Sequence, residues 1–325
     1  MLLSVPNLPV SLRIVFDCQI DKAPGPLVAG RADGVQPRYL ETLASWGLAS
    51  EVHEEGPIVE RTAIYYNGQL LHHGRSHQSD SRYRGLHIIT QGQIERIFIR
   101  DLLRHKMLVE RNTVLQHFNV DQDHAQDPTA HPVQCVIKNN VTQAEETIEA
   151  KYLIGSDGAS SYIRRRLDIP FDGVSTDIYW GIMDCLFATD YPHAWIFGWV
   201  SLQQHNSLSL LLTLSSRSVV SSEHGGCVII PRENGYIRSV LPVLRCQRQL
   251  ETNSIFRLYT QLDVTRTKNL VDSGTGQVDI HSITPEEVLE QANRIFAPYK
   301  LSFAAPLSWF AVWKSKTVVP IHFCT

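Results

Sequence analysis

The stretch Tyr152-Leu-Ile-Gly-Ser-Asp-Gly-Ala-Ser-Ser-Tyr-Ile-Arg-Arg-Arg-Leu167 decides the fold class of this chain. Its first three residues predict a strand that stops at Gly155. Asp157 and Gly158 follow in a tight turn, and one of the two serines after them is placed to cap an arginine-rich helix. This run is typical of a nucleotide contact in an α/β fold, where a phosphate or ribitol group could lie. A strand, a turn and a capped helix without any ligand explain the same residues equally well.

A second motif lies nearer the N-terminus, Ile20-Asp-Lys-Ala-Pro-Gly-Pro-Leu-Val-Ala-Gly-Arg-Ala-Asp-Gly-Val-Gln-Pro-Arg38. It begins where a predicted strand ends in the acid Asp21. A carboxylate at the carboxyl end of a strand is suited to bind ribose hydroxyls, and the Gly/Pro loop after it can pass close to a bound cofactor. Taken by itself, the loop is better explained as an ordinary solvated turn, since acids and glycines are common in turns.

Together and in this order, the two motifs resemble those of the flavin-dependent aromatic hydroxylases, most nearly the phenol 2-monooxygenase group. The resemblance covers most of the chain and includes Thr90-Gln-Gly-Gln-Ile-Glu-Arg96, Trp180-Gly-Ile-Met-Asp184 and Cys227-Val-Ile-Ile-Pro-Arg-Glu-Asn-Gly-Tyr-Ile-Arg238. It implies an α/β fold with an incomplete Rossmann-like FAD-binding domain and a second, mostly antiparallel β-sheet substrate domain. It also implies that NADPH reduces FAD and that a small phenolic or aromatic substrate is hydroxylated through a flavin hydroperoxide.

The resemblance assigns roles to individual residues. At the substrate it implies Asp33, Arg232 and Tyr259, with Asp33 polarising or deprotonating the phenol hydroxyl so that the ring carbon becomes a stronger nucleophile. Tyr259 is implied to bind the substrate hydroxyl or the flavin. The implied FAD contacts are Asp21 at the adenosine ribose, together with Gly30, Arg31, Gly34, Gln36, Gln91, Asp157 and Gly158. Ordinary explanations stay open for several of them, such as a turn carboxylate for Asp33 and a core tyrosine for Tyr259.

Patterning along the chain indicates alternating strands and helices, then a strand-rich part, then a helix. Read with the resemblance, it implies a partial FAD-binding domain over 1–175, a substrate-domain sheet over 176–283, and a helix with a truncated tail over 284–325. Within the sheet, the segments 199–218 and 239–257 interrupt strands that are continuous in the family. We interpret both as insertions, produced by introns retained in the gene model.

The family also has a Gly-x-Gly-x-x-Gly turn and a later Gly-Asp motif, neither of which we find in this sequence. The chain is therefore expected to be truncated at both ends and to bind FAD weakly. The alternative to an active monooxygenase is an inactive remnant or mis-spliced product without FAD, at most a module that binds an aromatic ligand.

Composition sets wider limits. The chain has 325 residues, 43% hydrophobic and 19% charged, and a formal net charge of −3 gives no electrostatic reason to expect nucleic acid or an anionic membrane as partner. Its six cysteines and fourteen histidines show no metal-ligand spacing, which predicts free thiols and no metal site. The apolar N-terminus is a poor secretory signal and no segment reads as a membrane span, so we expect a cytoplasmic protein. A homodimer is compatible with a complete chain.

Overall fold

The computed structural model describes residues 18–30, 32–59, 61–75, 80–193, 216–232, 255–262 and 279–320. The helices are α1 (Pro37–Ser45), α2 (Ala49–Glu55), α3 (Gln91–Arg104), α4 (Tyr162–Arg166) and α5 (Pro285–Phe296). The strands are β1 (Gln19–Asp21), β2 (Gly34–Val35), β3 (Ile58–Val59), β4 (Arg61–Tyr66), β5 (Gln69–Arg75), β6 (Leu86–Ile88), β7 (Val109–Arg111), β8 (Thr113–Val120), β9 (Val133–Asn139), β10 (Glu145–Ala150), β11 (Phe171–Cys185), β12 (Phe187–Thr189), β13 (Ser216–Ser222), β14 (Gly225–Pro231), β15 (Phe256–Leu262), β16 (Leu301–Phe303) and β17 (Trp309–Pro320).

These elements form two compact units. Unit 1 takes its described residues from 1–28, 92–173 and 318–325, and unit 2 takes them from 29–91 and 174–317. No helix within the described ranges combines the length and the apolar composition that crossing a bilayer requires.

Unit 1 contains the parallel pair β1 and β7 and an antiparallel sheet with the order β10-β9-β8. The polar run 121–131 joins β8 to β9 at the tip of their antiparallel hairpin. Ser161 caps α4 by accepting a hydrogen bond from the backbone N–H of Arg164 at 2.9 Å, as the sequence predicts. The strand predicted at residues 152–154 is wrong: no described strand pairs with this segment, and Tyr152 and Ile154 are exposed.

Unit 2 is built on a seven-stranded sheet with the order β17-β11-β15-β14-β13-β4-β5. Strands β11, β15, β14 and β13 follow one another antiparallel, whereas β13 pairs in parallel with β4. A smaller antiparallel sheet, β2-β6-β3, and the pair β12 and β16 complete the unit. Neighbouring strands of the large sheet bring together residues that are far apart in sequence, such as Asp184 in β11 and Arg257 in β15.

Helix α5 covers part of the large sheet. Thr284 and Glu287 form a capping box at its start, so the helix predicted within 284–325 begins directly after Thr284. Its apolar residues recur three to four positions apart, and Val288, Ala292, Ile295 and Phe296 are all completely buried. Strand β11 is a close neighbour, because a Cβ added to Gly181 would lie 2.6 Å from Cγ1 of Val288.

Most of the segments 199–218 and 239–257 lies outside the described residues. At their ends, residues 216–218 belong to β13, and Phe256 and Arg257 begin β15. The interpretation of these segments as insertions, and the sequence-based division at 175 and 283, stay predictions.

Candidate active site

A cluster of ionisable side chains lies within unit 2, and four separate parts of its chain contribute to it. Asp33 directly precedes β2, Arg232 directly follows β14, and Asp184 lies near the end of β11. Arg257 and Tyr259 are two positions apart in β15 and therefore project from the same face of the strand. The register of the sheet places Asp184 directly beside Arg257.

Asp184 is the acceptor at the centre of this cluster. Its Oδ1 accepts a hydrogen bond from Nε of Arg257 at 2.6 Å, and its Oδ2 accepts one from Nη2 of the same guanidinium at 2.6 Å. The same Oδ2 also accepts a bond from Nη1 of Arg232 at 3.0 Å. The bidentate contact between Asp184 and Arg257 fixes the plane of the guanidinium as well as its position. One carboxylate thus holds both arginines.

Asp33 also lies close to both arginines and is only 4% exposed. Its Oδ1 accepts a hydrogen bond from the hydroxyl of Tyr259 at 3.2 Å. Its Oδ2 lies 3.4 Å from Nη1 of Arg257 and 3.8 Å from Nη1 of Arg232. Among the described residues, no hydrogen bond reaches this buried Oδ2. The described residues therefore leave the hydrogen-bonding capacity of this oxygen unsatisfied.

The electrostatics follow from burial and charge. Burial raises the pKa of Asp33, and the two guanidiniums and the Tyr259 hydroxyl only partly oppose it. Burial and the neighbouring Asp33 raise the pKa of Tyr259 to about 12. Burial alone would lower the pKa of Arg257, but its hydrogen bonds to Asp184 and the charge of Asp33 raise it. At neutral pH the tyrosine therefore keeps its proton and Arg257 stays cationic, while burial gives Asp33 a higher proton affinity than an exposed aspartate has.

Trp309 connects this cluster to one of the predicted cofactor residues. The guanidinium carbon of Arg257 lies 5.1 Å from the centre of the Trp309 ring, within the range of a cation–π contact. The backbone of Gly30 lies against the same indole, and a Cβ there would come within 2.6 Å of the ring. Gly30 also has a φ of +84°, so this position requires glycine for two reasons.

The other predicted cofactor residues of unit 2 lie on its surface. Gly34 begins β2, Gln36 is the N-cap residue of α1, and Gln91 is the first residue of α3, and all three are exposed. Arg31 lies outside the described residues.

Unit 1 holds the predicted contact to the adenosine ribose. Asp21 ends β1, at the carboxyl end of a parallel strand pair. Its Oδ2 accepts a hydrogen bond from Nη1 of Arg111 at 2.9 Å, and its Oδ1 accepts one from the backbone N–H of Ala23 at 2.9 Å. A carboxylate offers about four acceptor positions. Asp21 therefore keeps the capacity to bind a ribose hydroxyl while its orientation is fixed.

The opening motif of the sequence also lies in unit 1. Asp157 accepts hydrogen bonds from the hydroxyl of Ser161 and from the backbone N–H groups of Tyr162 and Ile163. Burial alone would raise the pKa of Asp157, but these bonds outweigh it and lower the pKa. Gly158 has a φ of +86°, and apart from its two chain neighbours no described residue has an atom within 4 Å of where its Cβ would be. Its backbone is therefore open to close approach, and the residues of this turn fit an FAD contact.

Sequence reasoning gave no role to Asp184 and Arg257, although both lie within motifs that carry the family resemblance. The signal was a charged residue placed inside an apolar strand. Asp184 follows Trp180-Gly-Ile-Met183, and Arg257 stands two positions before Tyr259 in β15. A buried charge requires a partner of opposite sign, so two such residues in separate strands indicate an ion pair between them.

Comparisons with a family of proteins and with individual relatives both indicate an FAD-binding protein. Residues 15–301 match a family described as FAD binding domain. The chain is 49% identical over 315 residues to an FAD-dependent monooxygenase of Aspergillus terreus, covering 97% of this chain and 39% of that protein. It is 30% identical over 295 residues to the phenol 2-monooxygenase fsqG of Aspergillus fumigatus, covering 90% of this chain and 41% of that protein.

Among solved structures, the chain is similar to aklavinone-11 hydroxylase in its complex with FAD and aklavinone. The TM-score is 0.61 at 17% identity, over 94% of this chain and 50% of that one. This likeness confirms the fold class predicted from the sequence. The chain spans about two fifths of the length of the curated relatives that it matches.

Proposed function

Because this chain belongs to the family of flavin-dependent aromatic hydroxylases, we propose that it carries the cofactor and substrate residues of a monooxygenase that hydroxylates a phenolic ring, with NADPH as the reductant. A small aromatic substrate agrees with the relatives, one of which is described as a phenol 2-monooxygenase. Cytoplasmic location and a homodimeric assembly belong to this proposal as predictions from the sequence.

The observation that carries the proposal is the buried Oδ2 of Asp33, to which no described residue donates a hydrogen bond. A phenol hydroxyl placed there would donate to this oxygen. Because burial raises the proton affinity of Asp33, its carboxylate is a better base than an exposed aspartate would be. Transfer of the phenol proton to Oδ2 leaves a phenolate, and the ring carbon ortho to its oxygen becomes more nucleophilic.

The two arginines and Tyr259 have complementary roles in this proposal. Arg232 and Arg257 lie within 3.8 Å of Asp33 Oδ2 and supply positive charge where the phenolate oxygen would form. Tyr259 donates to Oδ1 of Asp33, so Oδ2 is left as the acceptor for the phenol. The cluster would thus orient the ring, remove its proton and stabilise the resulting anion.

The cofactor residues of the proposal divide by the part of FAD that they would contact. Asp21 would hold the adenosine ribose, with Asp157 and Gly158 at the phosphate and ribityl part. The flavin side would be contacted by Gly30, Arg31, Gly34 and Gln36, and Gln91 would be a further cofactor contact. When bound, FAD supplies the reduction of oxygen that the hydroxylation requires, and NADPH supplies the electrons.

The test compares the purified wild-type chain with Asp33→Asn, each supplied with FAD, NADPH and phenol, and measures the hydroxylated product by chromatography. We expect Asp33→Asn to lower the rate of product formation by about 10²–10⁴-fold, since that is the usual contribution of a general base. Asp190→Asn is the matched control, because Asp190 is exposed and accepts a hydrogen bond from the backbone N–H of Lys300.

Equal product formation by wild type and Asp33→Asn would contradict the role of Asp33. Absence of product from the wild type together with absence of FAD binding would favour the alternative of an inactive remnant, which the comparisons do not favour.

A further inference from the structure

Asp184 contacts both arginines of the active-site cluster but is not among the contacts of Asp33. Its two oxygens accept three hydrogen bonds from the two guanidiniums, at 2.6, 2.6 and 3.0 Å. All four charged groups are nearly inaccessible to water: Asp33 is 4% exposed, Asp184 5%, Arg232 5% and Arg257 0%. In such surroundings each charge acts strongly on the others.

We propose that Asp184 is a positioning residue for the hydroxylation: it orients the Arg257 and Arg232 guanidiniums toward Asp33 and compensates one of their two charges. This inference rests on the proposed function for its meaning in catalysis. The effect of Asp184 on the two arginines and on Asp33 can be tested without turnover.

The hydrogen bonds to Asp184 fix the orientation of Arg257. Arg257 uses Nε and Nη2 for Asp184, which leaves Nη1 as the nitrogen that faces Asp33 Oδ2 at 3.4 Å. Because a guanidinium is planar, fixing two of its nitrogens fixes the third. The sheet contributes as well, since Asp184 and Arg257 are direct neighbours in the register of β11 and β15. The direction in which Arg257 faces Asp33 is therefore set by Asp184.

The charge of Asp184 also affects the proton affinity of Asp33. The described groups that face Asp33 are Arg232 after β14, Arg257 and Tyr259 in β15, and Asp184 in β11, which acts through the arginines. With both carboxylates ionised, two anions balance two cations. Without Asp184, two cations would face the single carboxylate of Asp33. That carboxylate would then hold its negative charge more firmly and would be a weaker base toward a phenol.

The test measures the titration of Asp33 directly, without FAD, substrate or turnover. Carboxyl-carbon NMR of aspartate-labelled protein gives the pKa of Asp33, whose resonance is assigned by its loss in Asp33→Asn. In Asp184→Asn, which keeps the shape and removes the charge, we expect the pKa of Asp33 to fall by about one unit. In Asp190→Asn, the matched control, we expect no change.

A second comparison covers the case in which Asp184→Asn does not fold. It uses Arg232→Gln with and without Asp184→Asn, and the double variant lacks one charge of each sign. Arg232→Gln alone should raise the pKa of Asp33, because one cation is lost. Adding Asp184→Asn to it should lower that pKa again, because these two proteins differ only in the charge of Asp184. An Asp33 pKa that is the same with and without Asp184, in whichever background folds, overturns the proposal.

Activity gives a separate readout. In the wild type, the rate of product formation should decline as pH falls and Asp33 becomes protonated. In Asp184→Asn this decline should occur at a lower pH, whereas a purely structural defect would lower the rate equally at every pH. If the wild type makes no product, the proposed function fails, and the NMR titration still decides whether Asp184 controls Asp33.

Discussion

Asp33 keeps its carboxylate in a place that water scarcely reaches, and this affects the stability of the protein as well as its chemistry. Burial raises the pKa of Asp33 above the 3.8 of an unperturbed aspartate. Just above pH 3.8 the folded state therefore binds more protons than the unfolded state does. The contribution of Asp33 to stability is fully present below that pH and is lost as pH rises through the folded pKa.

We expect the free energy of unfolding of the wild type to fall relative to that of Asp33→Asn as pH rises from about 4 toward neutrality. Urea unfolding at a series of pH values measures both curves, and the difference between them isolates Asp33. A difference that stays constant with pH, or that rises, would show that the folded protein does not raise the pKa of Asp33.

Only some residues of the active-site cluster could be predicted from the sequence. Asp33, Arg232 and Tyr259 were predicted from motifs, and the structure brings all three together. Asp184 and Arg257 were missed because their significance depends on the register between two strands that lie more than seventy positions apart in the sequence. The roles of the predicted residues in binding and catalysis stay predictions.

At the scale of elements, the contact between α5 and β11 depends on a residue without a side chain. A Cβ at Gly181 would lie 2.6 Å from Cγ1 and 2.7 Å from Cγ2 of Val288, which is completely buried. Neither atom can move far, because Val288 belongs to the main core of unit 2.

We therefore expect Gly181→Ala to lower the free energy of unfolding by about 1–3 kcal/mol through overpacking. Gly226→Ala is the control, since it also adds a methyl group in a strand but its nearest neighbour would be 3.7 Å away. In urea unfolding, Gly181→Ala should cost less stability in a Val288→Ala background than in the wild type, because the two methyl groups that it approaches are then absent. Equal stabilities for the two glycine variants would contradict the close packing of α5 on β11.

Local signals account for the elements that the sequence predicted well. The capping box of Thr284 and the cap by Ser161 are contacts between residues three positions apart, so the sequence contains all of the information they need. The predicted strand at 152–154 failed for the opposite reason. An apolar run becomes a strand only beside a partner, and no described strand pairs with this segment.

At the scale of the whole molecule, the two units alternate along the chain. The described residues within 29–91 and 174–317 form unit 2, and those between the two ranges belong to unit 1. Hydrophobic patterning reports on neighbours in sequence, so it could predict strands and helices but not which distant segments share a core. Family resemblance supplied the fold class, and the comparisons confirm it.

The central claim is that these residues bind FAD and hold a phenol at Asp33. The most direct measurement is the visible absorption spectrum of the purified chain after addition of FAD, removal of free FAD and titration with phenol. The account predicts a retained flavin band that phenol perturbs in the wild type and perturbs less in Asp33→Asn. A colourless protein after removal of free FAD, or a flavin band that phenol perturbs equally in both proteins, would contradict it.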